Sequence, residues 1–219
     1  NEKTNLLTRV QSANYWIGLN VNKASQSVLD NVFCCSGCFS AYRKDRLMEI
    51  IDDYYFQTFL GKSCMAGEDR HLTNLIHKKR YGVVFVDDAL CYTEVPTRLS
   101  VYLRQQRRWK CSFFREILFI ISNMGSVKKT MLVESIIILI NMSINMSIRL
   151  MSIFLMLVNP LLFLLTIVPV WIFYMISVNS LFFIKEPRKA IWFIPHLFLF
   201  SFFLYPLNIY TIFNPIPKS

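Results

Sequence analysis

Acidic side chains nearly disappear from this chain beyond Gln106, and from Met131 to Phe213 charge of either sign is scarce. A stretch so poor in polar surface excludes an ordinary soluble domain there. The 219 residues are 54% hydrophobic yet carry a formal charge of +10, which directs the reading to an integral membrane protein. Also missing are an initial methionine and a basic stretch leading into a short apolar run and a small-residue cleavage site. The chain therefore reads as an internal fragment rather than a secreted precursor. Its six cysteines (Cys34, Cys35, Cys38, Cys64, Cys91, Cys111) lie among basic, cytosolic-looking segments and read as reduced rather than as a disulfide framework. Cys35 and Cys38 have the spacing of half a metal site. No second Cys or His pair stands at ligand spacing, so they read as small residues in a tight loop.

What is present divides the chain near Ser126. In the first part, apolar positions at Leu6, Val10, Tyr15 and Ile17 predict a helix over Asn5 to Leu29. Val32 to Cys35 reads as a buried strand, Leu47 to Tyr55 as a short helix, and Gly67-Glu68-Asp69 as the start of a helix reaching Lys79. Acids are favoured in such a first turn by the helix dipole. Val83 to Val86 and Ala89 to Val95 read as further strands, and the alternation predicts an α/β domain over residues 1–97. The adjacent acids Asp52-Asp53 and Asp87-Asp88 read as turn residues.

Thr97 is the expected N-cap of a long helix, Arg98 to Ile121, within an interface segment over residues 98–126. Leu99, Leu103, Phe113, Ile117 and Ile120 give it an apolar side, while Arg104, Arg107, Arg108, Lys110 and Arg115 give it dense positive charge. This is the pattern of a helix lying among anionic lipid headgroups, and a lipid bilayer rather than a nucleic acid is the expected partner. Residues 127–219 then form a membrane region with three expected spans, 131–158, 161–184 and 190–213, each meeting the roughly 20 residues a crossing needs. Lys128-Lys129 and the Lys185 to Lys189 cluster flank a two-helix excursion, so the positive-inside rule places both, and the α/β domain, on the cytosolic side.

Three constellations occur in order: Cys35-Ser36-Gly37, Gly67 to Asn74 (GEDRHLTN), and Gln105-Gln106-Arg107-Arg108-Trp109. With Tyr42-Arg43, Phe59-Leu60-Gly61, Val95-Pro96 and Phe113-Phe114-Arg115-Glu116, they make the stretch from Leu6 to about Glu116 resemble the family 2 processive glycosyltransferases. Within these it is similar to hyaluronan synthases and rhizobial chitin-oligosaccharide synthases. The resemblance implies the C-terminal half of a GT-A-like domain. It implies an inverting transfer of N-acetylglucosamine, alone or alternating with glucuronate, from a UDP-sugar donor to a growing polysaccharide acceptor at the cell membrane.

By match to the family motifs, Asp69 is the general base and Glu68 its supporting neighbour. From spacing alone the two acids serve equally as helix-capping charges. The resemblance makes Arg108, with Gln105, the group that offsets charge on the leaving diphosphate. Trp109 becomes the platform for the acceptor sugar, and Ser36 and Gly37 the loop beside it. Arg104, Arg107 and Lys110 read as headgroup anchors, and His71 as a helix-surface or packing residue. Neither His77 nor His196 has a partner in view. The family's Mg2+ or Mn2+, which bridges the donor diphosphate, is implied only for a longer enzyme whose ligands precede Asn1, and no metal ligands are expected in this segment.

Along the first span Glu134, Asn141, Asn145 and Arg149 recur at seven, four and four residues, with Ser152 extending the row, which puts them on one helix face. Polar groups are costly in hydrocarbon, so this stripe either lines part of a polysaccharide channel or binds helices to one another. The chain departs from hyaluronan synthases in lacking a Trp-Gly-Thr-Arg signature after Phe213. Two readings stand beside each other: an enzyme, or a non-catalytic membrane remnant or binding subunit.

Overall fold

The computed structural model describes residues 5–59, 61–63, 67–192, 195 and 204–214. Asn5 starts the first helix because its side chain accepts from the Thr8 amide at 3.0 Å while the Thr8 hydroxyl accepts from the Asn5 amide at 3.1 Å, a reciprocal cap. Helix α1, Leu6–Ile17, continues into a π-helical segment, Gly18–Lys23, and ends as α2, Ala24–Ser27. The helix expected from Asn5 is present, with one widened turn inside it.

Short helices α3, Lys44–Met48, and α4, Ile51–Tyr55, replace the single helix expected over Leu47 to Tyr55. Ile50 separates them: it leaves helical geometry at φ −125° and buries its side chain in the core. The strands β1, Thr58–Phe59, and β2, Lys62–Ser63, pair antiparallel. Helix α5, Glu68–Lys78, then packs against the 24-residue α6, Leu99–Ser122.

The described residues are mostly helical, which corrects the expected strands. Only a parallel bridge between Asn31 and Val83 joins the segments 32–35 and 83–86, and 89–95 forms no strand. Side chains take the place of ladder partners. The Gln26 amide oxygen accepts from the Phe33 amide, the Thr73 hydroxyl from Cys35 at 2.9 Å, and the Ser27 hydroxyl from Phe85 at 2.8 Å. Backbone donors satisfied in this way have no need of a neighbouring strand.

Two apolar clusters hold these parts together. Val32, Ile50, Leu75, Ile76 and Val83 pack α4, α5 and the bridged segments into one, and Phe33, Ile120, Val127 and Met131 join α6 to the next helix in the other. That helix is α7, Lys129–Val158, and among the described residues it alone is long and apolar enough to cross a membrane. Its Ile137, Ile140 and Ile144 are exposed, an apolar surface suited to lipid.

The second expected span is divided. Helix α8, Pro160–Val178, carries Pro169 inside it, and Asn179 separates it from α9, Ser180–Lys185. A 3-10 turn, Pro187–Trp192, packs against α1, and Arg9 lies over the Trp192 ring at 4.7 Å. Of the expected third span, helix α10, Tyr205–Phe213, is described and packs on α6; residues 193–194 and 196–203 lie outside the described residues, as do His196 and Cys64.

Helix α6 differs from its expected form at both faces. Arg98, not Thr97, is the N-cap, with no side-chain hydrogen bond; Thr97 instead accepts from the Asn5 side chain through its carbonyl at 2.9 Å. The buried face holds Ile117 and Ile120 but also Gln106, Ser112, Arg115 and Glu116, so Arg115 is not a headgroup charge. A carboxylate one residue away makes that burial tolerable, because a buried ion is stable only when paired.

Candidate functional site

Two of the three motifs meet at the start of α5, the Ser36-Gly37 loop and the turn carrying Glu68 and Asp69. Gly67, at φ +79°, turns the chain into the helix with a backbone that favours glycine. Glu68 and Asp69 occupy the first turn, where unpaired backbone donors stabilise negative charge. Asp69 reaches back to the Ser36-Gly37 loop: its Oδ2 accepts from the Gly37 amide at 3.4 Å, and its Oδ1 from the Arg70 amide at 2.8 Å. Thr73 completes the link, donating to the Asp69 carbonyl at 2.7 Å while accepting from the Cys35 amide at 2.9 Å. Ser36, Gly37 and Asp69 are thus brought together, and Glu68 is exposed beside them.

On the far side of α5 lies a motif-bearing turn of α6. Trp109 is half-buried and meets the Tyr15 ring edge-on, centroids 6.4 Å apart at 76°. Burial pushes the Tyr15 hydroxyl up to about 12, which keeps it neutral. A cavity of about 250 Å³ opens beside the indole, lined by Arg70, Lys110, Phe113, Met142 and Asn208 among others. Lys110 does not serve as a headgroup anchor: it hydrogen-bonds the Asn208 side chain, and burial pushes its ammonium down to about 8. Arg107 lies over the Tyr210 ring at 5.0 Å instead of facing outward alone. Arg104 and Arg108 are exposed, and the Gln105 side-chain oxygen is buried without a hydrogen-bond partner among the described residues.

Residues that sequence reasoning passed over complete the arrangement. Lys23, at the end of the π-helical segment, hydrogen-bonds the Ser36 hydroxyl at 2.5 Å. No local pattern announces that contact, since it depends on how a helix end faces a loop; Thr73, by contrast, stands four residues after Asp69 and was open to a spacing argument. His71, read as a helix-surface or packing residue, is the latter. Its Nδ1 donates to the Glu116 carboxylate at 3.0 Å, Arg115 Nε donates to the same group at 2.8 Å, and Asn74 Nδ2 donates to it at 3.1 Å. Burial pushes the Glu116 carboxyl up, but the bond and charge of His71 and the Arg115 guanidinium outweigh that and hold it below the usual range. His77, for which no partner was in view, donates from Nε2 to the Val32 carbonyl at 3.0 Å.

The polar stripe of α7 is not uniform. Glu134 lies 3.4 Å from the Asn31 side chain, so it faces the segment before the Asn31–Val83 bridge, whereas Asn145 donates to the Asn141 main-chain carbonyl at 2.8 Å and Arg149 is half-buried.

Residues 1–215 match the family described as chitin synthase. The chain belongs to the chitin synthase family. Within this family 2 glycosyltransferase group it is 40% identical over 119 residues to hyaluronan synthase 3 of Gallus gallus, covering 54% of this chain and 21% of that protein. It is 42% identical over 118 residues to an N-acetylglucosaminyltransferase of Rhizobium sp. (strain N33), covering 54% and 26%. An N-acetylglucosaminyltransferase of Neorhizobium galegae is 37% identical over 136 residues, covering 62% and 31%. The chain therefore spans less than a third of the length of these relatives.

Mg2+ or Mn2+, which the family resemblance implies for a longer enzyme, finds no fit among the described residues. Among the described residues no three His, Cys, Asp or Glu side chains come together, and the Asp69 carboxylate is turned to backbone amides. The Cys111 thiol donates to the Asn214 carbonyl at 3.4 Å, and burial pushes the Cys34 thiol up to about 11.

Proposed function

We propose that this chain is the membrane-anchored, acceptor-side part of a processive, inverting β-glycosyltransferase. It transfers N-acetylglucosamine, possessing or lacking alternation with glucuronate, from UDP-sugars to a growing glycan. In this reading residues 1–97 form the C-terminal half of a cytosolic GT-A-like domain, 98–126 an interface helix, and 127–219 a region of about three spans in the plasma membrane, through which the product passes.

One observation carries the reading: the Asp69 carboxylate sits at a helix N-terminus and is hydrogen-bonded to the Gly37 amide of the Ser36-Gly37 loop. A carboxylate so held is ready to accept a proton from an acceptor hydroxyl within hydrogen-bond reach. As that oxygen attacks the anomeric carbon, the bond from carbon to the diphosphate oxygen breaks, the configuration inverts, and the electron pair leaves with UDP. Arg108, with Gln105, offsets the charge on the departing diphosphate. Trp109 offers a flat apolar face to the C–H side of the acceptor ring, with the adjoining cavity as the space for it. Glu68 supports the first turn. Asn141, Asn145 and Arg149, with Glu134 at the cytosolic end, supply polar groups along the exit path.

The test is incorporation of labelled sugar by membranes from cells expressing the whole enzyme of which this chain is the proposed part, supplied with each UDP-sugar singly and in pairs. Polymer from UDP-N-acetylglucosamine alone means a homopolymer, and a requirement for a second donor means alternation. Asp69→Asn is expected to abolish elongation in either case. Elongation at the unaltered rate by that variant ends the proposed mechanism.

A further inference from the structure

Local signals start α5 but do not fix how it sits on its neighbour. Its N-cap is Gly67, without a side-chain cap, and the turn that carries Asp69 is held from the side by α6. A Cβ at Gly67 would stand 2.2 Å from Ser112 Cβ and 3.6 Å from Arg115 Nη2, so the two helices touch there at backbone distance. One turn further along the seam, Glu116 receives His71 and Asn74 of α5 and Arg115 of its own helix, with Phe119 edge-on to the His71 ring at 5.2 Å. Glu116 is 2% exposed and Arg115 4%.

We propose that Glu116 is a positioning residue: through His71 it sets the seat of α5 on α6, and so the placement of Asp69 relative to Trp109. Trp109 and Glu116 lie seven residues apart on α6, two helical turns along one face. Ser112, between them, donates its hydroxyl to the Trp109 carbonyl at 3.0 Å and backs onto Gly67. An apolar seam gives no preferred direction, but a buried carboxylate filled by three donors permits one arrangement of the two helices. The general base and the acceptor platform then belong to one rigid unit, although they sit on different helices. Glutamine at position 116 keeps the volume but offers one acceptor oxygen in place of two, so the donors of His71, Asn74 and Arg115 cannot all be met.

This rests on the assignment of Asp69 as general base, and the experiment separates the two ideas. Glu116→Gln, His71→Phe, their double variant and Asp69→Asn are measured in membranes of cells expressing the whole enzyme of which this chain is the proposed part, with rates normalised to folded protein and melting followed in parallel. Expected for Glu116→Gln is a kcat lowered by roughly tenfold to a hundredfold with KM for the UDP-sugar unchanged within about twofold, the signature of a displaced reacting group. His71→Phe, which fills the site but cannot donate, gives a similar loss, and the double variant is no worse than the poorer single one, since both cut the same link. Losses that multiply in the double variant, a raised KM with unchanged kcat, or an unaltered kcat per folded molecule overturn the positioning role. If Glu116→Gln does not fold, His71→Phe alone decides, because it leaves the Arg115–Glu116 pair in place. An active Asp69→Asn overturns the base assignment instead, whatever the other variants do.

Discussion

Gly67 lies so close to Ser112 that a Cβ added to the glycine would stand 2.2 Å from the serine Cβ and 2.6 Å from its Oγ. The contact involves the stem of Ser112 rather than a flexible tip, and Gly67 also holds a φ of +79°. Gly67→Ala therefore meets two penalties, the left-handed backbone and the overlap with α6, together on the order of 3 kcal/mol. The melting temperature of the purified protein is expected to fall accordingly. Adding Ser112→Gly removes the overlap but not the backbone strain, so the double variant is expected to recover part of the loss; no recovery would mean that α5 and α6 do not meet as described.

The start of α5 was legible because its signals are local: a glycine followed by two acids marks a helix N-terminus without reference to the rest of the chain. The ends of α7 were similarly legible, an apolar run stopped by Asn159-Pro160. The seam between α5 and α6 was not. His71 and Glu116 are 45 residues apart, and no spacing rule joins a histidine in one helix to a carboxylate in another. Arg115 misled for a related reason: on a helix with many basic residues it read as one more surface charge, and only its buried neighbour Glu116 distinguishes it. The strands failed because side chains of Gln26, Ser27 and Thr73 take up the amides that a ladder would have used.

His77 makes stability depend on pH. Burial lowers its pKa below the ordinary 6.5, and the nearby Lys128 charge acts in the same direction, against the opposing bond to the Val32 carbonyl. The unfolded chain therefore takes up a proton before the folded one does. The contribution of His77 is complete above the unfolded value and is lost as pH falls below about 6.5 toward the folded value. His77→Gln can still donate to the Val32 carbonyl but does not titrate. Melting temperatures measured from pH 7.5 down to 5 are expected to fall less steeply in that variant, and parallel curves would remove His77 as the source.

Lys23 ends the π-helical segment in contact with the Ser36 hydroxyl, and π-turns recur where a helix must present a side chain to a functional site. Lys23→Met keeps the aliphatic stem and loses the donor. The loss of one charge-assisted hydrogen bond at a half-buried position is expected to raise KM for an added oligosaccharide acceptor by about threefold to tenfold. Melting should change little, because Lys23 is outside both apolar clusters. An unchanged acceptor KM would confine Lys23 to holding the loop.

The Asn145 side-chain amide donates along α7 to the Asn141 main-chain carbonyl at 2.8 Å and to its side-chain oxygen at 3.3 Å. Two amides that satisfy one another only in part remain able to exchange partners with passing hydroxyls, which is what a polar exit path requires. Leucine at both positions keeps the helix and its apolar character for insertion while removing those partners. If the stripe lines the path, the double variant makes polymer at a near-normal initial rate but of shorter length, because translocation falls behind release. Size-exclusion chromatography of labelled product reads this directly. Product of unaltered length and rate would instead leave the asparagines as contacts between helices, and a loss of membrane-inserted protein in parallel with activity would point the same way.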